Sequence, residues 1–289
     1  MTATAPARAD ARRQPSSLGL LRRHIVAQFR YVVRVPVALF FTIIFPLIIL
    51  ILFGALFGDG TINVDGQGEW PVEQFFVGGL GAFTAATATF TNIANMLPIR
   101  RDEGVLKRWR GTATPPWVIL GGFVGSAILL ATIGVAIMVA FGAAFYDLEI
   151  DPAKMPAAVV TFLVGCFALA ALGMAVAAVV PNAESASAVA NAIILPLAFA
   201  SDIFIVTDEP PRWLEIIGNI FPLKPFVNAF QDCFNPFVDA PAFNWAALAF
   251  IAAWGVAGAA IATWKFRWEP SRSAGNGRRG RRRARNATD

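Results

Sequence analysis

The chain has 289 residues, 56% of them hydrophobic and only 15% charged, with a formal net charge of +5. A soluble domain carries roughly a quarter of its residues as charges, so this composition excludes an ordinary soluble fold. The pI of about 9.8 does not require nucleic acid, because anionic lipid at an inner membrane surface attracts the same charge.

A membrane core of ~30 Å needs about 20 apolar residues in a helix. In chain order, residues 1–16 are expected to be a disordered cytoplasmic N-terminus. Residues 17–34, SLGLLRRHIVAQFRYVVR, place Leu18, Leu21, Ile25, Phe29 and Val32 at steps of three and four, with Arg23, Arg30 and Arg34 off that stripe. This predicts a basic amphipathic helix in the interface, capped by Ser16 or Ser17. Six spans follow, at about 35–57, 75–97, 118–145, 157–180, 186–204 and 243–264. Tyr31, Trp70, Trp117, Tyr146, Trp245, Trp264 and Trp268 mark their ends as an aromatic belt. Residues 269–289 form a basic tail, GRRGRRRAR at its centre, read as a lipid-facing anchor rather than an RNA-binding arm.

With both termini in the cytoplasm, 21 of the 24 Lys and Arg fall inside, leaving Lys154, Arg212 and Lys224 outside. That split fixes the expected orientation by the positive-inside rule and places the chain in the cell membrane. The stretch IRRDEGVLKRWRGTATPPW is then cytoplasmic. It holds seven charges between Arg100 and Arg110. Asp102 and Glu103 are expected to begin a short helix, Lys107, Arg108 and Arg110 to end it, and Gly111 to stop it. Val105, Leu106 and Trp109 form one apolar edge. The reading is a docking knob, against a plain positive-inside loop.

The second span carries Thr84, Thr87, Thr91 and Asn95 as a polar stripe, with Gly78, Gly79 and Gly81 allowing close approach. The fifth adds Ser187 and Asn191, four apart, and Pro196. These residues suit either a substrate path or hydrogen bonding between helices. Gly121 and Gly125 of the third span form a GxxxG packing pattern. Residues 205–243 contain two apolar runs too short to span, punctuated by Pro210, Pro211, Pro222, Pro225 and Pro236. They predict two short helices dipping back toward the outer interface.

Several chemistries are missing from the sequence. It has no GxxxxGK[ST] phosphate loop. His24 is its single histidine, which excludes a Ser–His dyad in the membrane and most zinc sites, so no metal site is expected. No charge sits centrally in a span, against the habit of ion-driven carriers. Cys166 and Cys233 lie at different depths, and no disulfide between them is expected.

Together these segments resemble the permease subunits of type-2 ABC exporters, the ABC-2 group. The resemblance rests on the basic helix before the first span, on RVPVALFFTIIFPLIILILFGALFG (Arg34–Gly58), on RRDEGVLKRWRGTATPPW and on FPLKPFVNAF (Phe221–Phe230). It covers roughly residues 18–268 and looks most like the drug-resistance branch, similar to daunorubicin-type permeases. Asp102 before Glu103, and Trp109 in place of a common Leu, depart from the pattern. The resemblance implies an all-α membrane protein without catalysis or cofactor of its own. ATP and Mg would be bound by a separate ABC ATPase, two copies per complex, and a second permease chain, identical or homologous, would complete the pathway. Anionic inner-leaflet lipids are further partners, and nucleic acid is not. Site residues follow in the same terms: a pathway at Thr84, Thr87, Thr91, Asn95, Ser187 and Asn191, and ATPase docking by Arg101, Glu103, Val105, Leu106, Lys107, Arg108 and Trp109. Leu21, Arg23, Ile25, Phe29 and Arg30 lie in the interfacial helix, and Phe221, Pro222, Pro225 and Phe226 form an outer gate. The expected activity is export of a hydrophobic drug-like or lipid-like substrate. The alternatives are lipid-linked glycan export and a free-standing secondary carrier.

Overall fold

A computed structural model describes residues 16–57, 60–63, 69–204, 211–266 and 268–269. The expected disordered N-terminus and basic tail therefore lie almost wholly outside the described residues. What is described is largely helical. Four helices are long and apolar enough to cross a membrane: Pro36–Phe57, Pro116–Phe145 (α7), Met155–Val179 (α8) and Trp245–Lys265 (α12).

Helix α1, Ser17–Val33, begins where Ser16 Oγ accepts the Gly19 amide at 3.2 Å. Its inner face does not lie free. It sits on α7, where a Cβ on Gly121 would come within 3.1 Å of Leu21 Cδ1, and one on Gly125 within 2.6 Å of Ile25 Cδ1. The GxxxG pattern of α7 is thus a seat for α1, since only a bare backbone lets the two helices come this close. Leu18, which the stripe includes, is 74% exposed, while Gln28 is buried in its place. Arg22, Arg23, Arg30 and Arg34 stay exposed.

The first apolar segment runs from α2 (Pro36–Leu39) through a π-turn at Phe40–Ile44 into α3 (Phe45–Phe57). A short antiparallel hairpin follows, Thr61–Asn63 (β1) with Glu69–Pro71 (β2), so the described chain departs from the all-α expectation by one pair of strands. Trp70 is not part of an aromatic belt. It is buried, with its ring edge-on to Phe75 at 5.2 Å.

The second expected span is the middle of an unbroken rod of residues 72–102. It comprises α4 (Val72–Ala86), a π-turn at Thr87–Thr91 and α5 (Asn92–Asp102). Every residue of α4 is buried. A helix packed on all sides favours the small Gly, Ala and Thr residues that dilute its hydropathy. The fifth segment is α9, Ala183–Phe199, 17 residues rather than the expected 186–204. It starts early because Asn182 Oδ1 accepts the Ser185 amide at 2.8 Å. Past its end the chain turns at Asp202, where φ is +56° and Lys224 pairs with the carboxylate at 2.8 Å. Two short helices, α10 (Arg212–Ile220) and α11 (Leu223–Gln231), precede α12. Cys166 and Cys233 are both buried and free.

Candidate transport cavity and docking site

A cavity of about 420 Å³ opens between the first apolar segment, the rod and α9. Thr87, Thr91, Asn95, Ser187 and Asn191 line it together, five of the six residues expected on a pathway. The sixth, Thr84, does not. It is fully buried, and its Cγ2 lies 2.6 Å from where a Cβ on Gly134 of α7 would be. Most of the wall is apolar, including Phe41, Phe45 and Phe83, and no lining residue carries a formal charge.

The π-turn explains both results. Phe83, Thr87, Thr91, Asn95 and Ile99 recur every four residues along this wall. In an unbroken α-helix, 16 residues at about 100° each would carry Ile99 some 160° around from Phe83. A π-turn absorbs one extra residue and takes back roughly one residue of that rotation, so the stripe stays on the cavity. Two residues that the sequence reading missed also line it. Asn92 Nδ2 donates to Thr42 Oγ1 at 3.3 Å, joining the rod to the π-turn of the first segment. Polar residues at both π-turns were a visible signal, but a 3.6-residue period places Asn92 off the stripe.

Thr87 Oγ1 donates to the carbonyls of Phe83 and Thr84, each at 3.0 Å, so its hydroxyl is satisfied by its own helix. Thr91 Oγ1 and Asn95 Oδ1 are buried with no hydrogen-bond partner. Unpaired buried polar atoms cost about 1–3 kcal/mol each, a cost that Thr84 Oγ1, off the cavity, shares with these two.

At the end of the rod the expected docking knob is organised differently from its sequence reading. Asp102 ends α5 instead of starting a helix. Gly104, at φ +73°, breaks the chain, and α6 covers only Val105–Arg110. The apolar edge turns inward. Leu106 is 1% exposed and packs with Ile93, Leu97, Ile119 and Phe123, while Trp109 is half-buried with its ring edge-on to His24 at 5.3 Å. Arg101 is likewise internal, 4% exposed, and donates to the carbonyls of Ala177, Val180 and Pro181. Of the seven expected docking residues, Glu103, Lys107 and Arg108 are the exposed ones. Glu103 pairs with Arg100 at 3.6 Å, and the Arg100 guanidinium lies 3.7 Å above the Tyr31 ring of α1. The apolar edge therefore anchors α6 to the bundle, because water expels it more strongly than any neighbour repels it. Burial lowers the pKa of His24, so the imidazole against Trp109 favours its neutral form.

Two of the four expected gate residues, Phe221 and Pro222, line an apolar pocket of about 140 Å³ between α8, α9 and α12, and Pro225 is half-buried on α11. Phe221 stacks on Trp254 at 5.7 Å. Phe226 is fully buried against Gly165 of α8, a position that no side chain could share. Gln231 Nε2 donates to the Phe75 carbonyl at 3.2 Å, and buried Lys154 Nζ donates to the Asn235 carbonyl at 2.7 Å, tying α11 and its following turn to the bundle. Cys233, near Asp232 and shielded from water, has its thiol pKa pushed up to about 11, chiefly by burial, which makes it a poor nucleophile.

A bundle of long apolar helices around an uncharged, Thr- and Asn-flecked cavity defines a multi-pass membrane protein. Residues 20–235 match the family model described as ABC-2 type transporter, well over half the chain. The chain belongs to the ABC-2 type transporter family, whose permeases work with ABC ATPase partners. A protein of Cyanophora paradoxa bearing the name "Putative transport permease ycf38" is 30% identical over 192 residues, or 66% of this chain and 65% of that relative. The chain thus spans slightly less than two thirds of that relative's length.

Proposed function

We propose that this chain is the membrane-spanning subunit of an ATP-driven exporter that moves a hydrophobic, drug-like or lipid-like cargo outward. The observation that carries this reading is the cavity: about 420 Å³, mostly apolar, uncharged, and bearing unpaired Thr91 and Asn95 oxygens. Such a wall suits a greasy molecule with a few polar groups. Glycan cargo is disfavoured, because sugar rings stack on Trp and Tyr, and Tyr31 is the single Tyr or Trp among the lining residues.

In this reading the rod and α9 count as the second and fifth of six spans, both termini lie in the cytoplasm, and the complex holds two ATPases and two permeases in the cell membrane. The helices α10 and α11 form a re-entrant hairpin. Its elbow residue Phe221 touches Trp254, nine residues into α12, about 14 Å along a helix and near the middle of a ~30 Å core. The face presented to the ATPase is the charged one, Glu103, Lys107 and Arg108, with α1 behind it.

The test is co-purification with the candidate ATPase, followed by cargo screening on its hydrolysis rate in vesicles. Export that needs ATP and stops without the ATPase supports the reading. Transport by the permease alone, driven by an ion gradient, overturns it in favour of a carrier.

A further inference from the structure

Two of the three walls of the cavity, the rod and α9, are joined at the α6 end of the rod. The last two residues of the rod, Arg101 and Asp102, reach different helices there. Arg101 is almost wholly buried, and its guanidinium donates to the carbonyls of Ala177 at 3.1 Å, Val180 at 2.8 Å and Pro181 at 3.0 Å. Two of these carbonyls lie in α8 or directly after it, and the third lies in the turn to α9. The Asp102 Oδ2 accepts the amide of Ala183, the first residue of α9, at 2.9 Å. The end of α8 leaves carbonyls unpaired and carries partial negative charge, while the start of α9 leaves amides unpaired and carries partial positive charge. Adjacent side chains of opposite sign thus serve two adjacent helix ends of opposite polarity.

We infer that Arg101 and Asp102 are positioning residues that gang the rod and α9 into one moving body. This rests on the proposed function, in which the ATPase acts at the α6 corner. The rod carries Thr87, Thr91 and Asn95, and α9 carries Ser187 and Asn191. Ser187 stands only four residues beyond the clamped Ala183 amide. A tilt delivered at α6 therefore displaces both polar walls together. The third wall, Pro36–Phe57, has a looser polar tie to the rod, the neutral Asn92–Thr42 hydrogen bond at 3.3 Å. Charge-assisted hydrogen bonds in a buried setting are roughly twice as strong as neutral ones. The cavity accordingly changes shape by movement of the ganged pair against the first apolar segment, and not by separation of the rod from α9.

The experiment compares Asp102→Ala, which removes the acceptor, with Asp102→Asn, which keeps an oxygen for the Ala183 amide. In the purified permease, hydrogen exchange at Ala183 is expected to rise about tenfold in Asp102→Ala, the scale of one charge-assisted hydrogen bond lost, and to stay close to wild type in Asp102→Asn. In vesicles holding permease and ATPase, spin labels at Ile99→Cys and Val189→Cys report the rod against α9. Labels at Ile44→Cys and Val189→Cys report the first segment against α9. Nucleotide should change the second distance and leave the first fixed. With Asp102→Ala the first should change too, and export per ATP should fall while hydrolysis continues, with Asp102→Asn restoring both. Unchanged Ala183 exchange in Asp102→Ala overturns the clamp, whatever the ATPase does. A rod–α9 distance that already moves in wild type overturns the ganging. If nucleotide moves neither distance while the exchange difference persists, the clamp exists but the exporter reading fails, and the ganged stroke with it.

Discussion

In the cavity, Thr91 and Asn95 hold buried oxygens without partners, whereas at the α6 corner Arg101 donates to three carbonyls and Asp102 accepts an amide. Both regions put polar groups into an apolar bundle. At the corner both Nη atoms of Arg101 and Oδ2 of Asp102 are taken up by backbone ends of the same chain, and Asp102 Oδ1 faces Arg101 Nε at 3.8 Å, so these groups hold the fold. Along the cavity wall the Thr91 and Asn95 oxygens are left without partners, in residues that line the cavity. Polarity in a membrane helix is therefore informative only once its partners are known, because the penalty for burying it is fixed by what it meets.

The largest break in this contrast comes from the corner. Arg101→Ala should destabilise the protein by about 3 kcal/mol, since it orphans three carbonyls and removes the guanidinium 3.8 Å from Asp102 Oδ1. Thermal unfolding in detergent measures it, and a loss no larger than that of an exposed Arg108→Ala would show that the clamp adds nothing. Next is the seat of α1. Gly125→Leu must collide with Ile25, and overpacking of this kind costs roughly 1–3 kcal/mol. Proteolysis near residue 34 should become faster if α1 is pushed off α7, and should not change if α1 is held elsewhere.

A sharper comparison pairs Asn95→Leu with Thr84→Val. Asn95→Leu removes an unpartnered oxygen, so stability should hold within about 1 kcal/mol while the cargo profile of ATPase stimulation shifts. Thr84→Val faces Gly134 of α7 and should leave that profile alone. Equal profiles for both would return the polar stripe to helix packing.

The smallest effect concerns pH. Burial lowers the pKa of His24 from an unfolded value of about 6.5. The neutral imidazole therefore contributes stability above that value, and this is lost as pH falls through the lower folded pKa. Acidification should loosen the contact between α1 and Trp109, read as a rise in Trp exposure to a soluble quencher. His24→Phe, which keeps a ring but does not titrate, should abolish the pH dependence.

The sequence by itself determined the membrane class, the helical composition, the position of the apolar segments within a few residues, and the family. Long apolar runs and segregated charge act locally and need no knowledge of neighbours. It also marked five cavity residues, because Thr, Ser and Asn are conspicuous in an apolar run. Tertiary structure alone decided which way each of them faces. A π-turn resets the helical period, so Thr84 leaves the stripe and Asn92 joins the wall. The docking stretch was legible as a helix followed by a stop, but not as a corner whose apolar edge and Arg101 turn inward. Charge spacing cannot reveal that two helix ends, some 80 residues further along the chain, lie within reach of adjacent side chains. The same holds for the α7 glycines: a GxxxG pattern announces a close neighbour, and only the packed bundle shows that the neighbour is α1.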